Sequence, residues 1–420
     1  MGVIDLITLL IVLSAAFTLL NILVLKLPST IGLMSIALAS SCLVLLVGLV
    51  FPEFAEGATH LIAEFEFQEV LLKIMLNFML FAGALSIDLS KILEEKIPII
   101  VLAGVGIMIS TAIVGIMIFY LFPLLGMQID FIYCLLFGAL ISPTDPIAVL
   151  SLLKKFNLSK NLEIKIEGES LFNDGLGVVV FLTILEIAEE GMSSFNVVDV
   201  GILFGQEVIG GLLLGAIIGY LGFKLLDFID NDHLELEILV TLSLVLVGGR
   251  IAELGHVSGP LAMVIMGLFI GNKGRSEVMA NATGSYVYKF WHLLEETLNA
   301  ILFILIGLEM LVVVRIVTID MVVLGAVTIL IVLIARFFGV FFPINAMKLF
   351  KRKFERGTVR MLTWGGLRGG ISIALALTIS EFGWIPDNVK ATILFITYCV
   401  VVFSIIVQGL TIPVLIRKIK

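Results

Sequence analysis

The chain has 420 residues, 60% of them hydrophobic and only 14% charged, with a mean hydropathy of +1.19. A soluble domain carries about 25% charged residues and about half apolar ones, so the composition excludes a soluble globule and marks an integral membrane protein. The net charge of −8 is concentrated in short loops, and the basic residues lack the number and clustering that nucleic acid requires.

Apolar runs long enough to cross about 30 Å of hydrocarbon recur along the whole chain. The first, Ile4 to about Val24, has neither a basic leading region nor a small-residue cleavage site and reads as a retained span. Thirteen spans are predicted, near 4–25, 30–51, 68–89, 97–124, 130–153, 167–188, 198–226, 234–253, 257–272, 291–314, 320–347, 358–380 and 389–416. The short connections leave no room for a soluble domain at either end.

Charge placement tests that partition. With the C-terminal Arg417-Lys418-Ile419-Lys420 cytoplasmic, Lys26, Lys91/Lys96, Lys154–Lys165, Lys224, Lys273/Arg275/Lys289 and Lys348–Arg360 all fall on the same side. Together with the tail they hold twenty of the 26 Lys and Arg residues, against Arg315, Lys390 and the acidic Glu53–Glu66 stretch opposite. The expected topology is multi-pass, with the N-terminus outside and the C-terminus inside.

Six spans, a connecting span and six more predict two inverted repeats: about 4–188, a linker span at about 198–226, and about 234–416. The fold class is therefore an all-α polytopic membrane protein. Spans 5 and 12, fifth in each repeat, are both interrupted, by Ser142-Pro143-Thr144-Asp145-Pro146 and by Gly365-Gly366-Leu367-Arg368-Gly369-Gly370. Interrupted helices at matching positions of inverted halves point to a midplane site where they cross.

An ionised group at the bilayer centre costs roughly 3 kcal/mol on insertion scales, so such groups normally sit in a protein-lined cavity. In span 5, Pro143 and Pro146 each remove a backbone donor, and the freed carbonyls need a ligand or a neighbour. With Thr144 and Asp145 they make a hard-oxygen site suited to Na+, Li+ or K+. Asp145 should also offset the positive end of a half-helix. Span 6 opens with Glu169-Ser170-Leu171-Phe172-Asn173-Asp174, in which Ser170, Asn173 and Asp174 share a helix face. Asp174 is the candidate titrating group: desolvation favours its protonated form and a cation at contact favours its charged form, so proton and cation compete. Arg336 in span 11 and Arg368 in span 12 each require an anion or cavity water, since guanidinium does not deprotonate. Glu169 and Asp145 are the available acids. A Glu169–Arg336 structural ion pair with Arg368 at the crossing is the favoured assignment, and the swapped one stays open.

Other features read as structural. Cys42, Cys134 and Cys399 lie in apolar runs and behave as small hydrophobes. His60, His233, His256 and His292 have no metal-ligand spacing. Gly211, Gly215 and Gly219 recur every fourth residue, as close helix packing does. Lys73, Arg250 and Glu309 fall near outer span ends, where long polar side chains snorkel. The Lys348–Lys353 run is a topology signal.

The motifs Ser142-Pro143-Thr144-Asp145-Pro146, Glu169-Ser170-Leu171-Phe172-Asn173-Asp174 and Gly365-Gly366-Leu367-Arg368-Gly369, at these separations, resemble the NhaP/NHE branch of the monovalent cation/proton antiporters over nearly the whole length. That resemblance implies a homodimer in the cell membrane, with a mobile core domain moving against a scaffold. It implies Na+, with Li+ or K+ as alternatives, held at Asp174, Thr144, Ser170 and Asp145 in alternation with H+, with no cofactor and no enzymatic activity. Asn173 takes the place of a second aspartate found in the electrogenic branch, which implies electroneutral one-for-one exchange and a part in pH homeostasis. In span 3, Leu80-Phe81-Ala82-Gly83-Ala84 lacks the glutamate that many similar prokaryotic chains carry; if that glutamate is an ion ligand in them, a carbonyl or water takes its place here.

K+/H+ exchange is the nearest rival reading. An intramembrane aspartyl protease would also use two buried aspartates, but it needs a Gly-x-Gly-Asp order, whereas here Gly-Leu-Gly follows Asp174. A passive channel would pass Na+ without opposing proton flux.

Overall fold

A computed structural model describes residues 3–53, 57, 75–156, 159–191, 197–229, 234–277, 282–313 and 319–419. Every regular element among them is helical. The first half contains α1 (Val3–Leu20, continued by a π-turn Asn21–Leu25), α2 (Ser29–Gly48), α3 (Leu76–Ser86), the short α4 (Leu89–Glu94), α5 (Lys96–Leu124), α6 (Phe131–Ile141), α7 (Ile147–Lys155) and α8 (Lys160–Glu190). Then follow α9 (Val197–Phe228), α10 (Leu234–Leu254), α11 (Gly259–Glu277), α12 (Ala282–Val313), α13 (Ile319–Leu349), α14 (Thr358–Trp364), α15 (Gly370–Ile379), α16 (Asp387–Phe403) and, after a π-turn at Ser404–Gln408, α17 (Gly409–Ile419). His60, Lys73, His233, Arg315 and most of the Glu53–Glu66 stretch lie outside the described residues.

Among the described residues, seven continuous helical stretches, one of them α16 with its π-turn and α17, are long and apolar enough to cross a bilayer, and α3, α6, α15 and the first part of α11 are shorter apolar helices. Their outward faces carry large apolar side chains: α9 exposes Val198, Ile202, Ile209, Leu213, Ile217 and Leu221. In water such a stripe would demand a cover, whereas in lipid it is the solvated face. The opposite face of α9 is its glycine ladder. A Cβ on Gly211 would sit 2.7 Å from the Ser258 carbonyl, and one on Gly215 or Gly219 would strike Ala262 or Met266 of α11.

Two boundaries differ from the sequence reading. The sixth span begins at Lys160 rather than 167, and the tenth at Ala282 rather than 291. The cause is charge: Lys160-Asn-Leu-Glu-Ile-Lys-Ile-Glu167 is too polar to register as a span, yet Ser159 caps it by accepting from the Leu162 N–H at 3.3 Å. Its 31 residues run about 46 Å at 1.5 Å per residue, so the helix outreaches the hydrocarbon. Glu309 also departs from expectation: it is half-buried in α12 beside Tyr398 of α16 instead of extending from the bundle.

The helices pack in reciprocal pairs. α5 lies on α13, α3 on α11, and α2 on α12. The α5–α13 crossing is close because glycines meet there; a Cβ on Gly106 would stand 3.2 Å from the Gly339 carbonyl, and one on Gly339 2.9 Å from the Gly106 carbonyl. Against this pair sit α6 and α8, and the α6–α7 break meets the α14–α15 break.

Candidate functional site

The crossing is built from backbone. Between α6 and α7, residues 142–146 leave helical geometry, as two prolines in five residues require. Between α14 and α15, residues 365–369 do the same with glycines. The two extended stretches form an isolated antiparallel bridge, in which the Asp145 N–H donates to the Leu367 carbonyl at 2.7 Å. Gly369 permits the approach: a Cβ there would fall 2.6 Å from the Asp145 Cβ.

Interrupting two helices creates four half-helix ends inside the membrane, each with unpaired groups and a partial charge. The C-terminal end of α6 is met by Arg368, whose Nη1 donates to the carbonyls of Ser142 and, at 3.0 Å, Pro143. The C-terminal end of α14 is met by Arg336, whose Nε donates to the Leu362 carbonyl at 3.2 Å, and by Gln408, whose Nε2 donates to the Trp364 carbonyl at 3.1 Å. At the N-terminal end of α7, Asp145 Oδ1 accepts from the Ile147 N–H at 2.9 Å. The same carboxylate lies against Gly369, one residue before α15. Cations thus stand at both negative ends and an anion serves both positive ends.

The two arginines have different partners. Arg336, 5% exposed, forms a two-pronged pair with Glu169, 2% exposed: Nη1 to Oε1 at 2.6 Å and Nη2 to Oε2 at 3.0 Å. A Cβ on Gly366 would stand 2.5 Å from its Nε, so that glycine makes room for the guanidinium. Arg368 has no carboxylate within ion-pair distance among the described residues. It is anchored by carbonyls, and its own N–H donates to Ser404 Oγ at 2.8 Å, which donates on to Gln408 Oε1 at 2.7 Å in the π-turn.

α8 supplies the rest. Ser170 Oγ donates to the Thr144 carbonyl, and Asn173 Nδ2 donates to Thr144 Oγ1 at 3.2 Å. These two contacts fix the broken strand against α8. Because the Ser170 hydroxyl proton is committed to a carbonyl, the lone pairs of its oxygen are left for a cation. Asp174 lines a cavity of about 140 Å³ together with Asp145 and Ser170. Thr144 and Asn173 do not line it; Thr144 borders a smaller void shared with Glu169, Ser170 and Arg336. The structure therefore brings Asp174, Asp145 and Ser170 to one space, with Thr144, Asn173, Glu169, Arg336 and Arg368 behind them. Ala82 is buried and does not line the cavity, whereas its neighbour Gly83 does.

Five polar cavity residues were not anticipated from sequence: Ser86, Glu167, Glu295, Asn299 and Ser372. Glu295 and Asn299 had a readable signal, since a carboxylate and an amide four residues apart share one face of an apolar helix. Glu167 and Ser372 offered none, because a polar residue near a helix end is ordinary. The arrangement offers two carboxylates and a hydroxyl to a hard cation, in a space large enough for several waters.

Comparison with known proteins identifies the family. The profile of the family described as sodium/hydrogen exchanger, transmembrane, matches residues 9–418. The chain is 45% identical over 421 residues to the Na(+)/H(+) antiporter NhaP of Pseudomonas aeruginosa, covering 99% of this chain and 96% of that one. It is 32% identical to the Na(+)/H(+) antiporter NhaH of Halobacillus dabanensis, covering 94% and 92%. Among solved structures, the sodium proton antiporter MjNhaP1 of Methanocaldococcus jannaschii superposes with a TM-score of 0.75 at 21% identity, over 99% of this chain and 98% of that one, and so shares the fold. The chain belongs to the sodium/hydrogen exchanger family.

Proposed function

We propose that the chain is a secondary antiporter exchanging Na+, and Li+ where available, for H+ by alternating access, one for one and without net charge movement. The observation that carries this reading is the division of labour among the buried charges. Arg336 is held by Glu169 and Arg368 by carbonyls, which leaves Asp174 on the cavity without a basic side chain among the residues lining it. A permanently paired acid has no need to exchange its counterion. An acid whose only available counterions are mobile ones binds either H+ or a cation, never both.

The coordination set we infer is Asp174, Asp145 and Ser170, with Thr144 and Asn173 holding the broken strand, Glu169–Arg336 fixing α8 to α13, and Arg368 supporting the crossing. Asn173, being neutral, adds no second exchangeable proton, which supports the one-for-one stoichiometry. The reciprocal packing of α5 with α13, α3 with α11 and α2 with α12 supports inverted repeats within a thirteen-span chain. The basic loops support a cell-membrane protein with its C-terminus cytoplasmic, and the motif resemblance described above supports a homodimer.

Everted membrane vesicles loaded with a pH-sensitive dye test the reading. Adding Na+ should dequench the dye for the native chain, and Asp174→Asn should abolish the response while the purified variant keeps a monodisperse, native elution profile. Exchange by a folded Asp174→Asn protein overturns the reading.

A further inference from the structure

Behind the Asp174 site the same cavity has a second polar wall, made by α12 and the start of α15. Glu295 and Asn299 lie one turn apart on α12, and Ser372 is the third residue of α15; all three line the cavity. Asn299 is 7% exposed and Ser372 1% exposed, and neither Asn299 Oδ1 nor Ser372 Oγ has a hydrogen-bond partner. Buried polar oxygens are almost always satisfied, and two unsatisfied ones on one cavity wall call for something in the cavity that donates to them or coordinates them. Gly83 of α3 faces this wall: a Cβ there would stand 3.8 Å from Glu295 Oε1, in ordinary contact.

The charge of the lining selects the ligand. Asp145, Glu167, Asp174 and Glu295 all line the cavity, and no Lys, Arg or His does. These acids do not converge: among the described residues no three His, Cys, Asp or Glu side chains come together as one metal centre. The four acids thus do not make one cluster, and the α12 wall offers the oxygen types that alkali ions accept, a carboxylate, an amide carbonyl and a hydroxyl.

We propose that Glu295, Asn299 and Ser372 form a second alkali-cation subsite, distinct from Asp174, at which an entering cation exchanges part of its water for protein oxygen before it reaches the transported position. This rests on the exchange reading above. Glu295 is thus a binding residue that sets cation affinity without carrying the exchanged proton.

The test uses the full-length protein in proteoliposomes with a pH gradient, measuring the KM for Na+ and kcat, and radioactive sodium binding to the purified protein. Glu295→Gln should raise KM by about tenfold with kcat changed by no more than about twofold, the signature of lost ground-state binding. Glu295→Asp should recover part of the affinity, which a purely structural role would not predict. Asn299→Ala and Ser372→Ala should each raise KM by about threefold, and they carry the test if Glu295→Gln fails to fold. Asp174→Asn should keep weak, saturable sodium binding that adding Glu295→Gln removes. A native KM in folded Glu295→Gln, or residual binding in Asp174→Asn that the second substitution leaves intact, means that water alone fills this wall and overturns the subsite. The exchange reading falls separately, only if Asp174→Asn itself transports.

Discussion

Arg336 of α13 grips Glu169 of α8 through both guanidinium prongs, at 2.6 and 3.0 Å, with both side chains almost wholly out of contact with solvent. The bond joins the helix that carries Asp174 to the helix that packs on α5. It also consumes one of the two positive charges that would otherwise compete with a transported cation. A buried pair of this kind says little about net stability, but breaking it from one side strands a charge.

Removing one partner of a buried pair costs about 3–5 kcal/mol, while replacing both by apolar residues of similar volume is often neutral. Glu169→Ala and Arg336→Ala should each lower the melting temperature in detergent markedly. The double replacement Glu169→Leu/Arg336→Met should recover at least half of the loss. Thermal unfolding followed by size-exclusion chromatography reads the three side by side; a double variant no better than the singles would mean that the pair acts through something other than its charges.

Gly366 and Gly369 of the second break have no room around them, unlike Gly104 of α5. At Gly369 a methyl would lie 2.6 Å from the Asp145 Cβ and 2.7 Å from its Oδ2, and at Gly366 2.5 Å from the Arg336 Nε, whereas Gly104 on α5 has nothing within 4 Å. Overpacking costs typically about 1–3 kcal/mol. Gly369→Ala and Gly366→Ala are expected to lose most transport, and Gly104→Ala none, in the same vesicle assay. Equal activity in all three would show that the crossing tolerates being prised apart.

Competition for one acid has a definite sign. Protonation removes the cation's ligand, so the apparent KM for Na+ rises as pH falls. Below the operative pKa it climbs towards about tenfold per pH unit, while the maximal rate at saturating Na+ stays level. Titrating Na+ at several symmetrical pH values in proteoliposomes gives the slope. A KM that is flat across the acidic range, with a falling maximal rate, would indicate protonation at a site the cation does not occupy.

One-for-one exchange moves no net charge, so valinomycin-imposed potentials of either sign should leave the Na+-driven proton flux unchanged within error. Moving one uncompensated charge would couple the flux to about 2.3 kcal/mol per 100 mV, an effect far too large to miss. Introducing a second acid by Asn173→Asp tests the other direction, since its carboxylate would stand where an amide now bonds Thr144 Oγ1 at 3.2 Å.

The helical class and both breaks were legible in the chain because hydropathy and proline or glycine placement act locally. Asp145 and Asp174 were legible for a related reason: charge inside an apolar run is conspicuous wherever the run folds, and Ser170 was legible by sharing a helix face with Asp174. The partners were legible only in part. Glu169 for Arg336 was the favoured assignment and is the pair found. That Arg368 would meet carbonyls of residues 142 and 143, some 225 positions earlier in the chain, depends on how two halves dock. Glu295 was visible as a residue but not as a cavity wall, because it sits near the predicted inner end of its span, where a glutamate passes for an interfacial one. The early start of α8 was hidden by its own charges.

The two broken helices are fastened by an amide of residue 145 and a carbonyl of residue 367, groups that every non-proline amino acid brings to those positions. Side-chain exchange at positions other than the tightly packed Gly366 and Gly369 therefore leaves this tether in place. Such an architecture can change ion preference by swapping lining groups one at a time, with each intermediate sequence still able to assemble the same transporter.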